Sequence, residues 1–482
     1  MFDKYFKLLK TKPADPTEMQ TAPDKGLLRD GPTEATAVTL STHELSSTVI
    51  DTSDIVNDQI ITDTLAIDTH GAQTSTPEML RRFVGREPVL DATQQIIGYE
   101  FSLRNAPDTE EAPTLQQMCT EMLIASLIDL DIPAHLGTKY AFIGIVPIML
   151  NSSWLSLLPS RNVILAIDIA QTEAIEQTVL YCRQLIEEGF RIAVDNATPR
   201  PELADLLSLA SYARIDTHQF DALALAQRVM GLLSYTNATL IARNVESEDS
   251  DNACRAMAFG GFQGYYFTQL QPGLPHRIDN TRLKVLELLN MVRNHADIAE
   301  LEAVLKRDAL LSYKLLSYLN APCNGLTRKL DSLTQALVLL GYKPLYRWLT
   351  LLLFTSGKRD ARGESLLQNS LIRARLTETL AGPEVSPEDR DSLFVTGMFS
   401  LLDALLNVPM QQALAPLNLS DALTQALLND HGIYAPYLRL AIACETANQQ
   451  RIAALAAAAG VSVHAVNLAH VKALLWANEF SC

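Results

Sequence analysis

Six polar residues and one glycine stand at the ends of several short apolar runs in the middle of the chain, where each run gives way to a loop. Carboxylate and amide oxygens are the groups that hard divalent cations bind, and arginines are suited to binding phosphates. If the runs are neighbouring strands of one sheet, their ends belong to one site. The residues concerned are Gly144, Asp168, Asp195, Asn196, Asp216, Arg243 and Gln263.

The elements that must position these residues alternate between strand and helix patterns. Short apolar runs separated by helical periodicity are typical of parallel strands covered on both faces. About five or six strand–helix units within about 200 residues favour a closed (β/α) barrel, in which functional residues lie where strands end. The predicted strands are 83–90, 96–103, 140–146, 162–169, 191–195, 212–216, 239–243 and 263–267, and the predicted helices are 115–130, 173–188, 202–209, 220–234 and 247–259.

Beyond about Gly273 the strand patterns stop and apolar residues recur at helical spacing. Asp297 and Glu300 are spaced as a capping box that opens a helix. Gly341 is placed to end a later helix, and Pro344 suits the first turn of the next. The sequence therefore predicts an all-α domain after the barrel, and the fold class is α/β plus all-α.

The first 80 residues differ in composition from the rest. They hold six Lys and Arg against thirteen Asp and Glu, many Ser and Thr, and no aromatic residue after Phe6. Such a segment buries too little apolar surface to offset its ordering entropy, so we expect a disordered acidic tail. The predicted domains are the tail at 1–80, the barrel at 81–275 and the helical domain at 276–482.

The start of the tail is an exception because it is amphipathic. Phe2, Tyr5, Phe6 and Leu9 recur at helical spacing, and three lysines lie between them. One interpretation is a peptide that docks on a partner or a membrane surface. The other is a fraying terminus without a partner, since isolated helices this short are marginal.

Charge and cysteine content exclude several classes of function. The 482 residues carry a net charge of −16, which disfavours nucleic-acid binding because phosphate electrostatics supplies most non-specific affinity. The six cysteines are dispersed without a CxxC pair, as in reduced proteins that bind no zinc. No apolar run approaches the roughly 18 residues of a membrane span, and the N-terminus lacks a signal-like core. We expect a cytoplasmic protein without a transmembrane segment.

An ordered series of motifs resembles the EAL domain, a family that cleaves cyclic di-GMP on a TIM-like barrel. The segments are REP at 86–88, GYEFSLR at 98–104, AFI at 141–143, RIAVD at 191–195, YARID at 212–216, Ala242 with Val245 and Glu246, and QGY at 263–265. The helical part resembles the HDOD domain, a relative of HD phosphohydrolases that lacks their metal-binding His-Asp pair. Segments 307–320, 332–341 and 397–403 carry that likeness, and the whole resemblance covers about residues 82–480.

The resemblance implies a site in which two divalent metals activate a water for attack on a phosphodiester. The positions it assigns to that site are Glu100, Gly144, Ala166, Asp195, Asn196, Arg214 and Arg243. Only Glu100 and Asp195 keep a carboxylate. Gly144 and Ala166 lack a side-chain oxygen, Asn196 is neutral, and Arg243 reverses the charge of the glutamate that the family has there.

Two carboxylates are too few for a pair of hard cations, so we predict no hydrolysis, no metal and no cofactor. A shifted alignment at Ala166 would bring in Asp168, which lies on the same strand face in another layer. That shift supplies no side-chain oxygen at Gly144 and does not change the positive charge at Arg243.

Ligand binding without cleavage stays open. Arg104 and Gln263 match positions that contact ligand in the family, Asp216 is retained, and Arg214 and Arg243 add positive charge. The alternative is an eroded pocket in which the two arginines form structural ion pairs with Glu100, Asp195 and Asp216.

The sequence therefore predicts a non-enzymatic signalling or scaffold protein. It would act through protein partners in cyclic di-GMP-linked control of motility or surface behaviour. A non-hydrolysing cyclic di-GMP receptor is the alternative, and an active phosphodiesterase is disfavoured. The pathway rests on analogy with the resembled family, since fold alone does not fix function.

Overall fold

The computed structural model describes residues 83–104, 113–169, 174–271, 278–320, 330, 332–356, 360–382, 385–446 and 449–479. The tail predicted at 1–80, with its amphipathic start, lies outside these residues.

Eight strands close into one barrel in chain order, which confirms the predicted barrel. β1 pairs antiparallel with β2 and with β8, and the remaining neighbours are parallel. The strands are β1 Phe83–Asp91, β2 Ile96–Arg104, β3 Tyr140–Ile145, β4 Val163–Asp168, β5 Arg191–Asp195, β6 Tyr212–Asp216, β7 Thr239–Arg243 and β8 Gly261–Gln263. The helices of this part are α1 Pro113–Asp129, α2 Ile132–His135, α3 Ile175–Glu187, α4 Ala204–Leu209, α5 Ala222–Leu232 and α6 Glu248–Ala256.

The inside of the barrel is a small apolar cluster that fixes which side chains reach the mouth. It consists of Val89, Phe142, Ile164, Ala166, Ala193 and Ile241. Because successive side chains of a strand alternate between faces, the residue two positions further on points inward again. Phe142 is thus followed by Gly144, Ala193 by Asp195, and Ile241 by Arg243, so these three predicted site residues share one face.

The last strand lies earlier in the chain than the predicted strand at 263–267. A Cβ on Gly264 would lie 2.5 Å from the Val245 carbonyl oxygen, and Gly264 has a φ of +140°. The chain must therefore turn at this glycine, so β8 ends at Gln263. The residues beyond form a 3₁₀ turn, Tyr266–Thr268, instead of a strand.

The predicted all-α part is confirmed as thirteen helices within the described ranges. They are α7 Asn280–Arg293, α8 Ile298–Lys306, α9 Ala309–Leu319, α10 Leu333–Leu340, α11 Tyr342–Thr355, α12 Ala361–Leu380, α13 Pro387–Phe399, α14 Leu402–Leu406, α15 Met410–Leu414, α16 Asp421–Leu428, α17 Ala435–Thr446, α18 Gln449–Ala458 and α19 Val463–Asn478. Helix α8 begins where the capping-box spacing predicted. The capping box itself is wrong, because the Asp297 side chain makes no cap hydrogen bond.

Across the described helices, no single one combines the length and apolarity that crossing a bilayer requires. Two sharply bent helix pairs, Leu333–Leu340 with Tyr342–Thr355 and Gln450–Ala458 with Val463–Asn478, meet the length and composition test together.

The helical domain covers the outer face of β1. A hairpin joins β1 to β2, so no crossover helix lies against this strand. The outward side chains Val84, Arg86 and Leu90 are nevertheless at most 3% exposed. Polar contacts seal the same interface: the Val84 amide donates to Asn467 Oδ1 at 3.0 Å, and the Ile96 amide donates to Ser365 Oγ at 3.1 Å. The helical domain thus replaces the missing outer layer of the barrel.

One buried histidine belongs to this interface. Arg86 Nε donates to His470 Nε2 at 2.9 Å, and Arg86 Nη2 lies 3.4 Å from Asn369 Oδ1. Burial and the Arg86 charge lower the pKa of His470 well below its usual value. The ring is therefore held neutral, as an acceptor for the guanidinium.

We expect the free energy of unfolding to fall as the pH drops below about 6.5. The unfolded chain takes up a proton on this histidine there, whereas the folded chain does not. Arg86 of β1, Arg373 of α12 and Glu445 of α17 are the charged groups of the surrounding network. Thermal unfolding between pH 7.5 and pH 5.5 measures the effect, and His470→Gln should flatten the slope. An equal slope in the variant would show that another group causes the acid sensitivity.

Candidate functional site

The barrel mouth gathers charged and amide side chains from five strands. Glu100 comes from β2, Asp195 from β5, Arg214 from β6, Arg243 from β7 and Gln263 from β8. Each of these residues points into the barrel. The alternation of side chains along the strands therefore brings them together.

Arg214 is the centre of this group. Its side chain is 0% exposed. Its Nε donates to Asp195 Oδ1 at 2.5 Å, and its Nη2 donates to Asp195 Oδ2 at 2.6 Å and to Glu100 Oε1 at 2.9 Å. The guanidinium also lies 5.7 Å from the centroid of the Phe142 ring below it. A fixed cation thus fills the space between the two carboxylates.

Arg243 is a second, more open cation on the same carboxylates. Its Nη2 lies 3.3 Å from Glu100 Oε2 and its Nη1 lies 3.6 Å from Asp195 Oδ2. The side chain is 24% exposed, and its Nε has no hydrogen-bond partner in the described part of the chain. Two arginines therefore balance two carboxylates, and this cluster of four carries no net charge.

Gln263 is buried and its amide is engaged. Its Nε2 donates to Glu87 Oε2 at 2.7 Å and also to Glu100 Oε2. Its Oε1 lies 3.5 Å from Arg214 Nη1. Glu87 and Glu100 are paired residues on β1 and β2, so this amide sits between two carboxylates that face each other across the strands.

The electrostatics of the mouth follow from these contacts. Burial opposes ionisation of Glu100, but Arg214 and Arg243 outweigh it and lower its pKa to about 2. Burial likewise opposes the charge of Arg214, but Asp195 and Glu100 raise its pKa above the usual value. Each charge is stabilised by its partners, so removing one leaves those partners less compensated.

The two positions at which the resemblance implies an oxygen ligand and this chain has none, Gly144 and Ala166, lie in different environments. Gly144 is exposed at the mouth, and a Cβ there would meet no atom within 4 Å. Ala166 is buried one layer down, inside the barrel cluster. Asp168, two residues on, stands in register with Asp195 and accepts a hydrogen bond of 3.1 Å from Asn196 Nδ2. The mouth therefore has a further carboxylate that the resemblance did not assign.

Asp216 does not pair with the arginines, contrary to the ion-pair interpretation of the sequence. Its carboxylate accepts from the His218 amide at 3.1 Å and from Gln219 Nε2 at 3.2 Å. The side chain thus caps the 3₁₀ turn that follows β6. Arg104 ends β2, and its side chain lies outside the described residues.

The donor set does not fit the pair of divalent metals that the resemblance implies. Among the described residues, no group of three or more His, Cys, Asp or Glu side chains is arranged to hold a metal ion. Glu100 and Asp195 already accept hydrogen bonds from the Arg214 guanidinium. A guanidinium has only hydrogen-bond donors, so Arg214 cannot itself be a metal ligand.

A cavity of about 770 Å³ connects the mouth to the helical domain. Glu87, Arg243 and Tyr265 line its barrel side, and Arg373, Glu445 and Thr446 line its helical side. Arg373 donates two hydrogen bonds to the Glu445 carboxylate, from Nε to Oε1 at 2.6 Å and from Nη2 to Oε2 at 2.8 Å. Asn369 Nδ2 donates to the same carboxylate at 3.0 Å. A ligand that fills this cavity therefore touches both domains.

Sequence reasoning missed Glu87, Arg373 and Glu445. Glu87 stood in the quoted REP motif, and its inward position follows from the period of two in β1. Arg373 and Glu445 lie on helices far apart in the chain, and nothing in their spacing signals that they meet.

The helical part matches a known family, and the chain as a whole has relatives. Residues 277–417 match the HDOD domain model, so the chain contains an HDOD domain. The chain is 29% identical over 379 residues to the uncharacterized protein YuxH of Bacillus subtilis, which covers 77% of this chain and 92% of that protein. It is 24% identical over 410 residues to the cyclic di-GMP phosphodiesterase CdgJ of Vibrio cholerae, which covers 84% and 94%.

Solved structures with an EAL domain also match the chain. The YkuI protein of Bacillus subtilis, in complex with cyclic di-GMP and calcium, matches with a TM-score of 0.34 and 15% identity, over 51% of this chain and 76% of that one.

Proposed function

We propose that this chain is a non-hydrolysing protein of EAL–HDOD type that works in cyclic di-GMP-linked signalling in the cytoplasm, through contacts with other proteins. The observation that supports it most directly is Arg214, fully buried between Glu100 and Asp195. The relationship to CdgJ, a cyclic di-GMP phosphodiesterase by name, supports the signalling context.

The case against hydrolysis is electrostatic. Two-metal hydrolysis needs carboxylates that are free to bind cations and an activated water between them. At this mouth Arg214 already holds both Glu100 and Asp195, at 2.5 to 2.9 Å. Binding a metal would require those carboxylates to leave a guanidinium that has no access to solvent. An arginine stays protonated throughout the physiological range, so it cannot act as a base instead.

A receptor function is the second candidate, supported by the cavity at the mouth. Its volume of about 770 Å³ accommodates a nucleotide-sized ligand, and Arg243 lines it with an Nε that has no partner in the described ranges. The charge balance weighs against this candidate, because phosphates must compete with Glu100 and Asp195 for both arginines. Protein contact therefore ranks first.

We expect the purified protein to form no linear pGpG from cyclic di-GMP in the presence of Mg²⁺ or Mn²⁺. Chromatography of the nucleotide products measures this, with Glu100→Ala as the matched control and an active phosphodiesterase as the positive control. Metal-dependent pGpG that the Glu100→Ala variant fails to make would overturn the proposal.

Calorimetry with cyclic di-GMP, with and without metal, separates the two candidates. Binding that needs no metal and weakens in Arg243→Gln identifies a receptor. No heat of binding under either condition agrees with a protein that acts through partners alone.

A further inference from the structure

A cavity of about 220 Å³ lies in the helical domain, and it shares no lining residue with the cavity at the barrel mouth. Helices α7, α11 and α13 enclose most of it, and its apolar lining includes Val292, Val395 and Leu423. We call it the α11–α13 cavity. Its volume is below the range of about 300–1,000 Å³ that holds drug-sized ligands, so it suits a smaller molecule.

The aromatic wall of the cavity is fixed by its own contacts. Tyr342 Oη donates to the Ala296 carbonyl oxygen at 2.9 Å, and the His295 ring packs edge-on against the Tyr342 ring with 5.1 Å between centroids. On the same helix, the Arg347 guanidinium lies 4.2 Å from the centroid of the Phe394 ring. A ligand that enters the cavity therefore has few side chains to order, which lowers the entropic cost of binding.

Two carboxylates of α13 line the cavity and are weakly paired. The Glu388 carboxylate lies 3.8 Å from Lys343 Nζ, which is beyond hydrogen-bonding distance. Asp391 lies 3.7 Å from Arg347 Nη1, whereas Arg347 Nη2 donates to Glu378 at 2.7 Å. Burial raises the pKa of Asp391, so the neighbouring cations compensate its charge incompletely. An ammonium group beside Asp391 would find an acceptor that lacks a close partner.

The opposite charge lines the same cavity. Lys343 is 67% exposed, Arg293 stands at the end of α7, and Arg347 is the third cation. Three cations and two carboxylates around one small cavity match neither a purely basic nor a purely acidic guest, because groups of the guest's own sign lie beside its partners. A guest that carries one positive and one negative group satisfies both signs at once.

We propose that the α11–α13 cavity binds a small zwitterion, namely an α-amino acid with an apolar side chain. The side chain packs against Val292 and Val395, the ammonium group donates to Asp391, and the carboxylate accepts from Lys343. Charge-assisted hydrogen bonds at both ends fix the orientation of the ligand. This site is separate from the barrel mouth, so it goes beyond the proposed function and does not depend on it.

Isothermal titration calorimetry of the full chain with L-phenylalanine and with L-leucine tests the proposal. At least one of them should bind saturably with a Kd below about 1 mM. 3-Phenylpropionate lacks the ammonium group and phenethylamine lacks the carboxylate. Each should bind at least about tenfold more weakly than L-phenylalanine, because a hydrogen bond to a charged group is worth about that factor or more. No binding of either amino acid, or equal binding of either analogue, would overturn the proposal.

Charge variants locate the site. Asp391→Asn should weaken amino-acid binding about tenfold, and Lys343→Gln about threefold, since Lys343 is the more exposed of the two. Asp249→Asn on α6 and Lys306→Gln on α8 make the same charge changes at exposed positions outside the cavity and should leave the Kd unchanged. The melting temperature of each variant without ligand separates a loss of binding from a loss of folding. If a folded Asp391→Asn chain binds as tightly as the wild type, or if the controls weaken binding equally, the cavity is not the amino-acid site.

Discussion

Replacing Arg214 by methionine is expected to lower the free energy of unfolding by about 3–5 kcal/mol, which is the usual loss when one partner of a buried ion network is removed. The variant keeps much of the side-chain volume but leaves Glu100 and Asp195 facing each other at the mouth without their closest cation. Equilibrium unfolding in urea, with near-ultraviolet circular dichroism as the probe, measures the difference.

Two variants make this result specific. Arg243→Gln should cost less, because Arg243 is 24% exposed and contacts the same carboxylates at 3.3 and 3.6 Å. Adding Glu100→Gln and Asp195→Asn to the Arg214→Met variant should restore much of the loss, since the two carboxylates are then neutral and Arg243, which loses them as partners, is 24% exposed. If Arg214→Met costs no more than Arg243→Gln, the guanidinium is not the group that holds the mouth together.

The barrel expressed alone, as residues 81–275, is expected to be insoluble or to lack fixed tertiary structure. Its β1 strand would expose Val84 and Leu90, and Arg86 would lose the histidine and asparagine that accept from it. Full exposure of each large apolar side chain costs about 1.5–3 kcal/mol, which is a substantial part of a domain's stability. Soluble yield and near-ultraviolet circular dichroism measure the outcome.

Co-expression of residues 276–482 should return the barrel to the soluble fraction as a complex. Deletion of residues 1–80 is the control, and it should leave the melting transition nearly unchanged. A barrel fragment that is soluble and melts cooperatively by itself would show that the helical domain does not complete it.

The order of strands and helices was readable from the sequence because each element has its own apolar period. The closed barrel and the all-α domain are confirmed, and the site residues share a face because a period of two fixes their direction. The strand predicted at 263–267 was placed too late in the chain because Tyr265 and Phe267 fit a strand pattern. Only the close approach of Gly264 to the Val245 carbonyl shows where the strand must end.

Contacts between segments far apart in the chain could not be predicted from the sequence. Arg86, Asn369 and Glu445 are individually ordinary polar residues, and the network they form depends on how α12 and α17 cross β1. The sequence left open whether Arg214 binds a ligand or forms structural ion pairs. Its full burial between Glu100 and Asp195 could not be predicted from the sequence.

Two positions at the barrel mouth, Gly144 on β3 and Arg214 on β6, differ in how readily they accept a substitution. At Gly144 the space beside the backbone is vacant, so a larger residue could be accepted there without displacing any neighbour. At Arg214 the reverse holds, because any shorter or neutral residue leaves two largely buried carboxylates without their closest cation. Exchanges at the mouth toward the residues of the resembled family would therefore succeed or fail according to order: Arg214 must be exchanged together with its partners, whereas Gly144 can be altered first.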